Sequence, residues 1–200
     1  MAKVDMTTDT VYKTFQQEVR CIDLWKANNP MHDYITTNKL GTAVVDGFII
    51  RDGVMLAAVE QKSRNLSMSM LFDVYNGQLL VDENKWEHCL QVSTLLNMPF
   101  VMWTYLVPDD LVLSTMISND RGRPLVKFEK VDGDYQESAN GGRVKKRVAY
   151  FDVTTENTRV YRPIPETEWA QVPQMGSNPD VHIAPQPRLT EPLPGLKGHQ

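Results

Sequence analysis

Hydrophobic residues between positions 10 and 28 recur at the spacing of one helical face. The stripe consists of Val11, Phe15, Ile22 and Trp25. Side chains at these intervals lie on one side of an α-helix, and position 18, which belongs to the same side, is occupied by Glu18. The pattern therefore predicts a first helix whose buried face carries a carboxylate in its middle.

Two apolar segments follow, at residues 43–50 and 54–62, with Arg51-Asp52-Gly53 between them. An Asp-Gly pair supplies the positive φ angles that a tight turn requires, so the pattern predicts a β-hairpin. Residues 63–80 have mixed periodicity and several Ser, Asn and Gly. They are predicted to form an irregular connection.

The pattern next predicts a second helix, with Asp82 as its N-cap and an end at Asn97, close to Pro99. Continuous apolar runs at residues 99–107 and 110–118 are typical of buried strands. This order predicts an α/β sandwich with a mixed central sheet, in which the hairpin pairs antiparallel and the strand after the second helix pairs parallel.

The rest of the chain divides into a strand pair and a terminal arm. Residues 123–131 and 143–153 have the pattern of two strands, joined by a long polar loop. Residues 163–200 are rich in proline, which favours an extended or disordered arm. We therefore expect one domain over residues 1–162, followed by the arm.

Composition excludes several classes of protein. No apolar run approaches the roughly 18 residues that a membrane span needs, so no membrane partner is expected. The N-terminus lacks the basic segment and apolar run of a secretory signal, and the expected location is the cytoplasm. Cys21 and Cys89 are the only cysteines, without metal-ligand spacing, which indicates two reduced thiols.

The hairpin keeps three charged residues, Asp46, Glu60 and Lys62, within strongly apolar surroundings. Carboxylates converging on a rigid sheet make a site of hard oxygen ligands for Mg²⁺, with Mn²⁺ as a substitute. A bound metal of this kind lowers the pKa of water and stabilises charge on a phosphate, and a neighbouring lysine can orient the water. This combination indicates phosphodiester hydrolysis.

These residues, in their order along the chain, resemble the PD-(D/E)XK nuclease superfamily over roughly residues 10–117. The resemblance implies a restriction-endonuclease-like fold, with Asp46, Glu60 and the Gln61 carbonyl as metal ligands and Lys62 orienting water. It also implies a supporting glutamate on the first helix, here Glu18. Val45 stands where the family name has proline, and Gln91 is followed four positions later by Leu95 rather than tyrosine, which weakens assignment to the exonuclease-like branch.

The proposed site imposes a condition on the hairpin register. With a two-residue turn at Asp52-Gly53 and no irregularity, Asp46 would face Val59, and the two acids would point to opposite sides of the sheet. A three-residue loop or a β-bulge shifts the pairing by one and sets Asp46 opposite Glu60. We predict that shift.

Simpler interpretations remain open for each residue. Asp46 could cap a turn, Glu60 and Lys62 could form an exposed pair on an edge strand, and Glu18 could bond a backbone amide. The same acid-x-lysine pattern recurs at Glu83-Asn84-Lys85, where it is interpreted as a solvated first helical turn.

The net charge of -4 hides a basic segment, since residues 121–162 carry 10 Lys/Arg against 6 Asp/Glu. The candidate phosphate contacts are Arg64, Arg143, Lys145 and Arg147. A solvated edge strand is the alternative for the last three.

The first functional hypothesis is thus a metal-dependent nuclease acting on nucleic acid, with DNA favoured, as a homodimer like many small members of that superfamily. The second is a catalytically inactive nuclease-fold protein that binds or inhibits nucleic acid or a protein. The proline-rich arm is a candidate contact for a protein partner.

Overall fold

The structure is a computed structural model, and it describes residues 9–37, 43–137 and 143–165. The elements of that part, in chain order, are α1 (Asp9–Asn28), β1 (Asp33–Thr36), β2 (Gly47–Arg51), β3 (Val54–Arg64), α2 (Met68–Asp73), β4 (Gln78–Asp82), α3 (Glu83–Leu96), β5 (Phe100–Leu106), a short 3₁₀ helix (Val107–Asp109), β6 (Leu111–Ser118), β7 (Phe128–Glu137), β8 (Arg143–Asp152) and β9 (Thr158–Tyr161).

The strands form two sheets. The larger has the order β1-β2-β3-β5-β6-β9, and the smaller has the order β4-β8-β7. Within the larger sheet β3 and β5 run parallel, while the other neighbours run antiparallel. The predicted class is confirmed at this level: the protein is α/β, with a mixed central sheet flanked by helices.

The two faces of the larger sheet bury different partners. On one face, Leu24 and Trp25 of α1 pack with Val59 and Trp103. On the other face, alternate residues of the same strands, such as Ala58 and Met102, pack with α2, α3 and the smaller sheet. Because side chains alternate along a strand, Glu60 and Lys62 share the second face with Ala58, whereas Gln61 shares the first with Val59.

The hairpin between β2 and β3 has the predicted register shift. Asp52 and Gly53 have φ angles of 51° and 76°, and Arg51 pairs with Val54 across this two-residue turn. The pairing then shifts between Ile49 and Ile50, since Ile50 pairs with Met55 and Ile49 pairs with Ala57. Leu56 is therefore the extra residue of a β-bulge. Gly47, the first residue of β2, pairs with Val59, and Asp46 precedes the strand with its amide donating to the Val59 carbonyl at 2.9 Å.

Other predictions of secondary structure had mixed outcomes. The second helix does begin after Asp82 and end at Asn97, which has a left-handed φ of 50°, and the buried strand after it does pair parallel to β3. The prediction of an irregular connection at residues 63–80 was wrong, because this segment contains α2 and most of β4. Strand β9 was not predicted.

The predicted buried stripe of the first helix was only partly right. Trp25 is buried, but Phe15 is 53% exposed, and Tyr12 and Val19 are exposed as well. Among the described side chains of α1, the buried ones belong to its C-terminal half, where Cys21 joins the core. The side chain of Val11 lies outside the described residues.

The predicted C-terminal arm, residues 163–200, lies outside the described residues except for 163–165. All described secondary structure belongs to one compact unit, Met1–Ile164. None of the described helices combines the length and hydrophobicity that crossing a bilayer requires.

Candidate active site

Asp46 lies in a bend immediately before β2 and is anchored to β3. Its backbone amide donates to the Val59 carbonyl at 2.9 Å, and its Oδ2 accepts from the Gln61 amide at 2.7 Å. The next residue, Gly47, packs closely against β1, where a Cβ would lie 2.4 Å from both the Ile35 carbonyl oxygen and the Tyr34 ring. Only glycine therefore fits at this position without displacing β1.

Glu60 is the buried charge of the site, with 1% of its surface exposed. Lys62 Nζ lies 2.8 Å from its Oε1, and Lys85 Nζ lies 2.7 Å from its Oε2. Desolvation raises the pKa of Glu60 above its usual value, Lys62 counteracts that rise, and the charge of Asp46 adds to it. A buried carboxylate of this kind needs cationic partners, and two lysines supply them.

Lys85 was not recognised as a site residue from the sequence. It belongs to the first turn of α3, and it also donates to the Val44 carbonyl at 3.0 Å, which ties the segment before Asp46 to Glu60. The interpretation of Glu83-Asn84-Lys85 as a solvated turn was therefore wrong, since Glu83 is buried and Lys85 is half-buried. A repeated acid-x-lysine pattern directly after a strand was the available signal.

Glu18 and the Gln61 side chain lie on the other face of the sheet. Gln61 Nε2 donates to the Tyr34 hydroxyl at 2.8 Å, and the Tyr34 ring packs on Trp103. The charge of Glu18 acts on Cys21 and Tyr34 and raises the pKa of both groups, although desolvation is the larger cause for each. The predicted role of Glu18 beside the metal stays a prediction, because no group of three metal-ligating side chains occurs in the described part of the chain.

A cavity of about 600 Å³ opens beside Glu60, between β3, β4, α3 and β8. Its lining consists of Glu60, Lys62, Arg64, Leu80, Val81, Asp82, Lys85 and Lys146. The predicted phosphate contact Arg64 is thus part of it, with its guanidinium donating to the carbonyls of Leu80 and Ser63.

Strand β8 contributes to the cavity a residue that was not among the predicted phosphate contacts, whereas those contacts stay predictions. Lys146 lines the cavity and pairs with Asp82 at 3.0 Å. Arg147 pairs with Glu83 and Asp132, and Lys145 is exposed. The side chain of Arg143 lies outside the described residues.

The oxygen donors present at this point fit a hard divalent cation by their chemistry. The charge of the Asp46 carboxylate acts on Glu60, its Oδ2 accepts from the Gln61 amide, and the Gln61 carbonyl belongs to the same stretch of β3. Mg²⁺ usually takes one or two carboxylates and keeps several waters or phosphate oxygens. Two carboxylates and a carbonyl are therefore donors of the kind that such an ion takes.

No protein-family model matches the chain, and no curated protein matches it either. The function must therefore be argued from the arrangement around Asp46 and Glu60 itself.

Proposed function

We propose that the protein is a Mg²⁺-dependent nuclease with a restriction-endonuclease-like fold, and that it acts as a DNA endonuclease. The observation that supports this proposal is the group of charges on β3: Lys62 contacts the buried Glu60 carboxylate, and the charge of Asp46, which is anchored to the Gln61 amide, acts on the same carboxylate. The β-bulge at Leu56 shifts the hairpin register in the direction that a shared site for the two acids requires.

Each residue has a defined part in this reaction. Asp46, Glu60 and the Gln61 carbonyl would hold the ion, which supplies an acidified water and stabilises charge on the phosphate. Lys62, on the same strand face as Glu60, donates to the attacking water and holds it in line. Lys85 keeps the Glu60 carboxylate and the Val44 segment in place.

The test is a cleavage assay with Mg²⁺ or Mn²⁺ on duplex, single-stranded and branched DNA, and on RNA. Asp46→Asn removes a charge from the metal site with little change in shape. Lys62→Ala removes the group that orients water. Each is expected to slow cleavage by at least about 100-fold, and EDTA is expected to abolish it.

Matched controls lie in the same hairpin and on the surface. Asp52→Asn makes the same chemical change in the hairpin turn, at a residue whose side chain is 88% exposed. Lys26→Ala removes an exposed lysine at the end of α1. Cleavage that survives both Asp46→Asn and Lys62→Ala would exclude this site as the catalytic centre.

A second candidate is a nuclease-fold protein that binds nucleic acid or a protein without cutting. The contact of both Glu60 oxygens with lysine ammonium groups favours it, because the carboxylate is neutralised without any metal. Absence of Mn²⁺ binding by calorimetry, together with metal-independent binding of DNA, would favour this candidate over the enzyme.

The cytoplasmic location, the homodimer and a protein contact through the C-terminal arm stay predictions. Size-exclusion chromatography with light scattering on the full chain tests the dimer, and a chain ending at residue 165 tests whether the arm contributes to it.

A further inference from the structure

Cationic side chains outnumber carboxylates in the lining of the cavity beside Glu60. Four cationic side chains and two carboxylates line it. Asp82 pairs with Lys146, and Glu60 contacts both Lys62 and Lys85. A concave site with an excess of one sign of charge concentrates the potential and attracts an ion of opposite sign.

Arg64 is the cation with the least compensation. It is half-buried, and it forms no ion pair with a carboxylate among the described residues. Its guanidinium donates to the Leu80 carbonyl at 2.8 Å and to the Ser63 carbonyl at 3.3 Å, which fixes its position at the cavity wall. The charge of Asp82 acts on Arg64, but that carboxylate is paired with Lys146, so the desolvated guanidinium has room for a further anion as its partner.

Lys146 and Lys145 provide a comparison on one strand. They are neighbours on β8, so their side chains point to opposite faces. Lys146 lines the cavity, whereas Lys145 is exposed and does not belong to the lining. A ligand in the cavity would therefore contact Lys146 but not Lys145, although the two lysines are adjacent in the sequence.

We propose that the cavity binds one phosphate group of a nucleic-acid strand, with Arg64 as its principal contact and Lys146 as its second. This inference rests on the proposed function, since it places the bound phosphate next to the Glu60 carboxylate. The volume of about 600 Å³ lies in the range of small-ligand sites, so the sugar attached to the phosphate can enter beside Leu80 and Val81.

The experiment measures binding without metal, so that it does not depend on cleavage. The full chain in EDTA is titrated into a 3′-fluorescein single-stranded DNA of about twelve nucleotides, and fluorescence anisotropy gives the affinity at several salt concentrations. Arg64→Ala and Lys146→Ala are each expected to weaken binding about tenfold. Each is also expected to lower the slope of log affinity against log salt by about 0.7, the value for one lost contact with a single strand.

Two comparison variants decide whether the cavity is the site. Lys145→Ala makes the same change on the other face of β8, and Lys26→Ala makes it on α1. Both are expected to weaken binding by less than about twofold, as a screened surface charge does. The affinity of Arg64→Lys is expected to lie between those of the wild type and Arg64→Ala. Arg64→Lys replaces the alanine variant if that variant loses the native circular dichroism spectrum.

Two further measurements distinguish a terminal phosphate from an internal phosphodiester. Tighter binding of a 5′-phosphorylated strand, with competition by inorganic phosphate, would identify a terminal phosphate. Equal binding of 5′-hydroxyl and 5′-phosphorylated strands would identify an internal phosphodiester.

The proposal is overturned if the wild type does not bind in EDTA, or if Lys145→Ala weakens binding as much as Lys146→Ala. Binding that depends on Arg64 in a protein that cleaves nothing would retain the cavity proposal and reject the nuclease.

Discussion

Two short segments of this chain share the pattern Glu-x-Lys, and the fold uses them in opposite ways. Glu60-Gln61-Lys62 lies on strand β3, and Glu83-Asn84-Lys85 lies in the first turn of α3. On a strand, residues i and i+2 point to the same face, so Glu60 and Lys62 meet at 2.8 Å. On a helix they are about 200° apart, and they diverge.

The divergence on α3 connects the two sheets. Lys85 turns toward β3 and lies 2.7 Å from Glu60, whereas Glu83 turns toward the smaller sheet and pairs with Lys130 and Arg147, each at 3.1 Å. The first turn of α3 therefore supplies a cation, Lys85, to the candidate active site and an anion, Glu83, to the smaller sheet. A pattern of residue types acquires its meaning only from the element that carries it.

The largest expected effects on cleavage come from removing each lysine in turn. Lys62→Ala is expected to reduce the single-turnover cleavage rate by about 10²- to 10⁴-fold, since it removes a group that acts on the reacting water. Lys85→Ala is expected to cost only about tenfold, because Lys85 acts by positioning Glu60. Rapid-quench measurement of cleavage, with substrate affinity determined separately, gives both values.

The two lysines would exchange roles if Lys85→Ala proved the more severe variant. Lys85→Arg distinguishes positioning from chemistry, because it keeps a cation beside Glu60 and is expected to restore most of the rate. Lys62→Arg is expected to restore little, since the guanidinium differs from an ammonium in size and geometry.

Removing each glutamate tests the same comparison through stability. Glu60→Ala is expected to lower the free energy of unfolding by about 3 kcal/mol, since it leaves two half-buried lysines without their carboxylate. Glu83→Ala is expected to cost about 1 kcal/mol, because the Arg147 side chain is 61% exposed and water can replace the lost partner. Urea unfolding in EDTA measures both, and equal losses would show that the two carboxylates are equally dependent on their partners.

The sequence predicted the residues of the first segment better than those of the second. Glu60 and Lys62 were predicted to belong to one site because strand periodicity and charges in an apolar hairpin agree, and they meet at 2.8 Å, whereas the role of Asp46 beside them stays a prediction. Lys85 was missed because helical periodicity does not show which distant strand lies opposite a given turn. Its contact with Glu60 spans the gap between α3 and β3, which only the packing of the sheet determines.

The same limit explains the errors in secondary structure. Most of strand β4 lies within residues 63–80, where its alternation is short and follows Asn76-Gly77, and the strand pairs with β8. Phe15 belongs to a correct helical stripe, yet the first half of α1 leaves it exposed. Periodicity predicts which residues share a face, but it does not predict how far the neighbouring sheet extends beneath that face.

The hairpin that presents the first segment can be disturbed at Gly47. Gly47→Ala is expected to destabilise the protein by about 2 kcal/mol, because the new Cβ would lie 2.4 Å from the Ile35 carbonyl oxygen and would force β1 outward. Gly53→Ala is the matched control in the same hairpin. It meets no atom within 4 Å, and its cost of about 1 kcal/mol arises from its φ of 76° alone. Thermal unfolding compares the two, and a larger loss for Gly53→Ala would contradict the close packing of β1 on Gly47.

The smallest expected effect concerns Glu87, which shares the partner Lys130 with Glu83 of the second segment. Lys130 contacts Glu83 and Glu87 together, and its hydrogen bond holds the pKa of Glu87 below the usual value. A depressed pKa means that the folded protein binds the proton less readily than the unfolded chain. The stabilisation is therefore present above the usual value of 4.5 and is lost as the pH falls through the depressed pKa.

Glu87→Gln is accordingly expected to be slightly less stable than the wild type near neutral pH, and the difference is expected to shrink as the pH falls through the depressed pKa. Urea unfolding from about pH 7 to about pH 3 measures the difference, with Glu129→Gln as a control for the loss of an exposed carboxylate from β7. The difference is also expected to shrink at high salt, since the pair is exposed to solvent. A difference in stability that persisted at low pH would assign the effect to helix propensity or packing. The ion pairs of Lys130 would then contribute to stability through buried Glu83 alone.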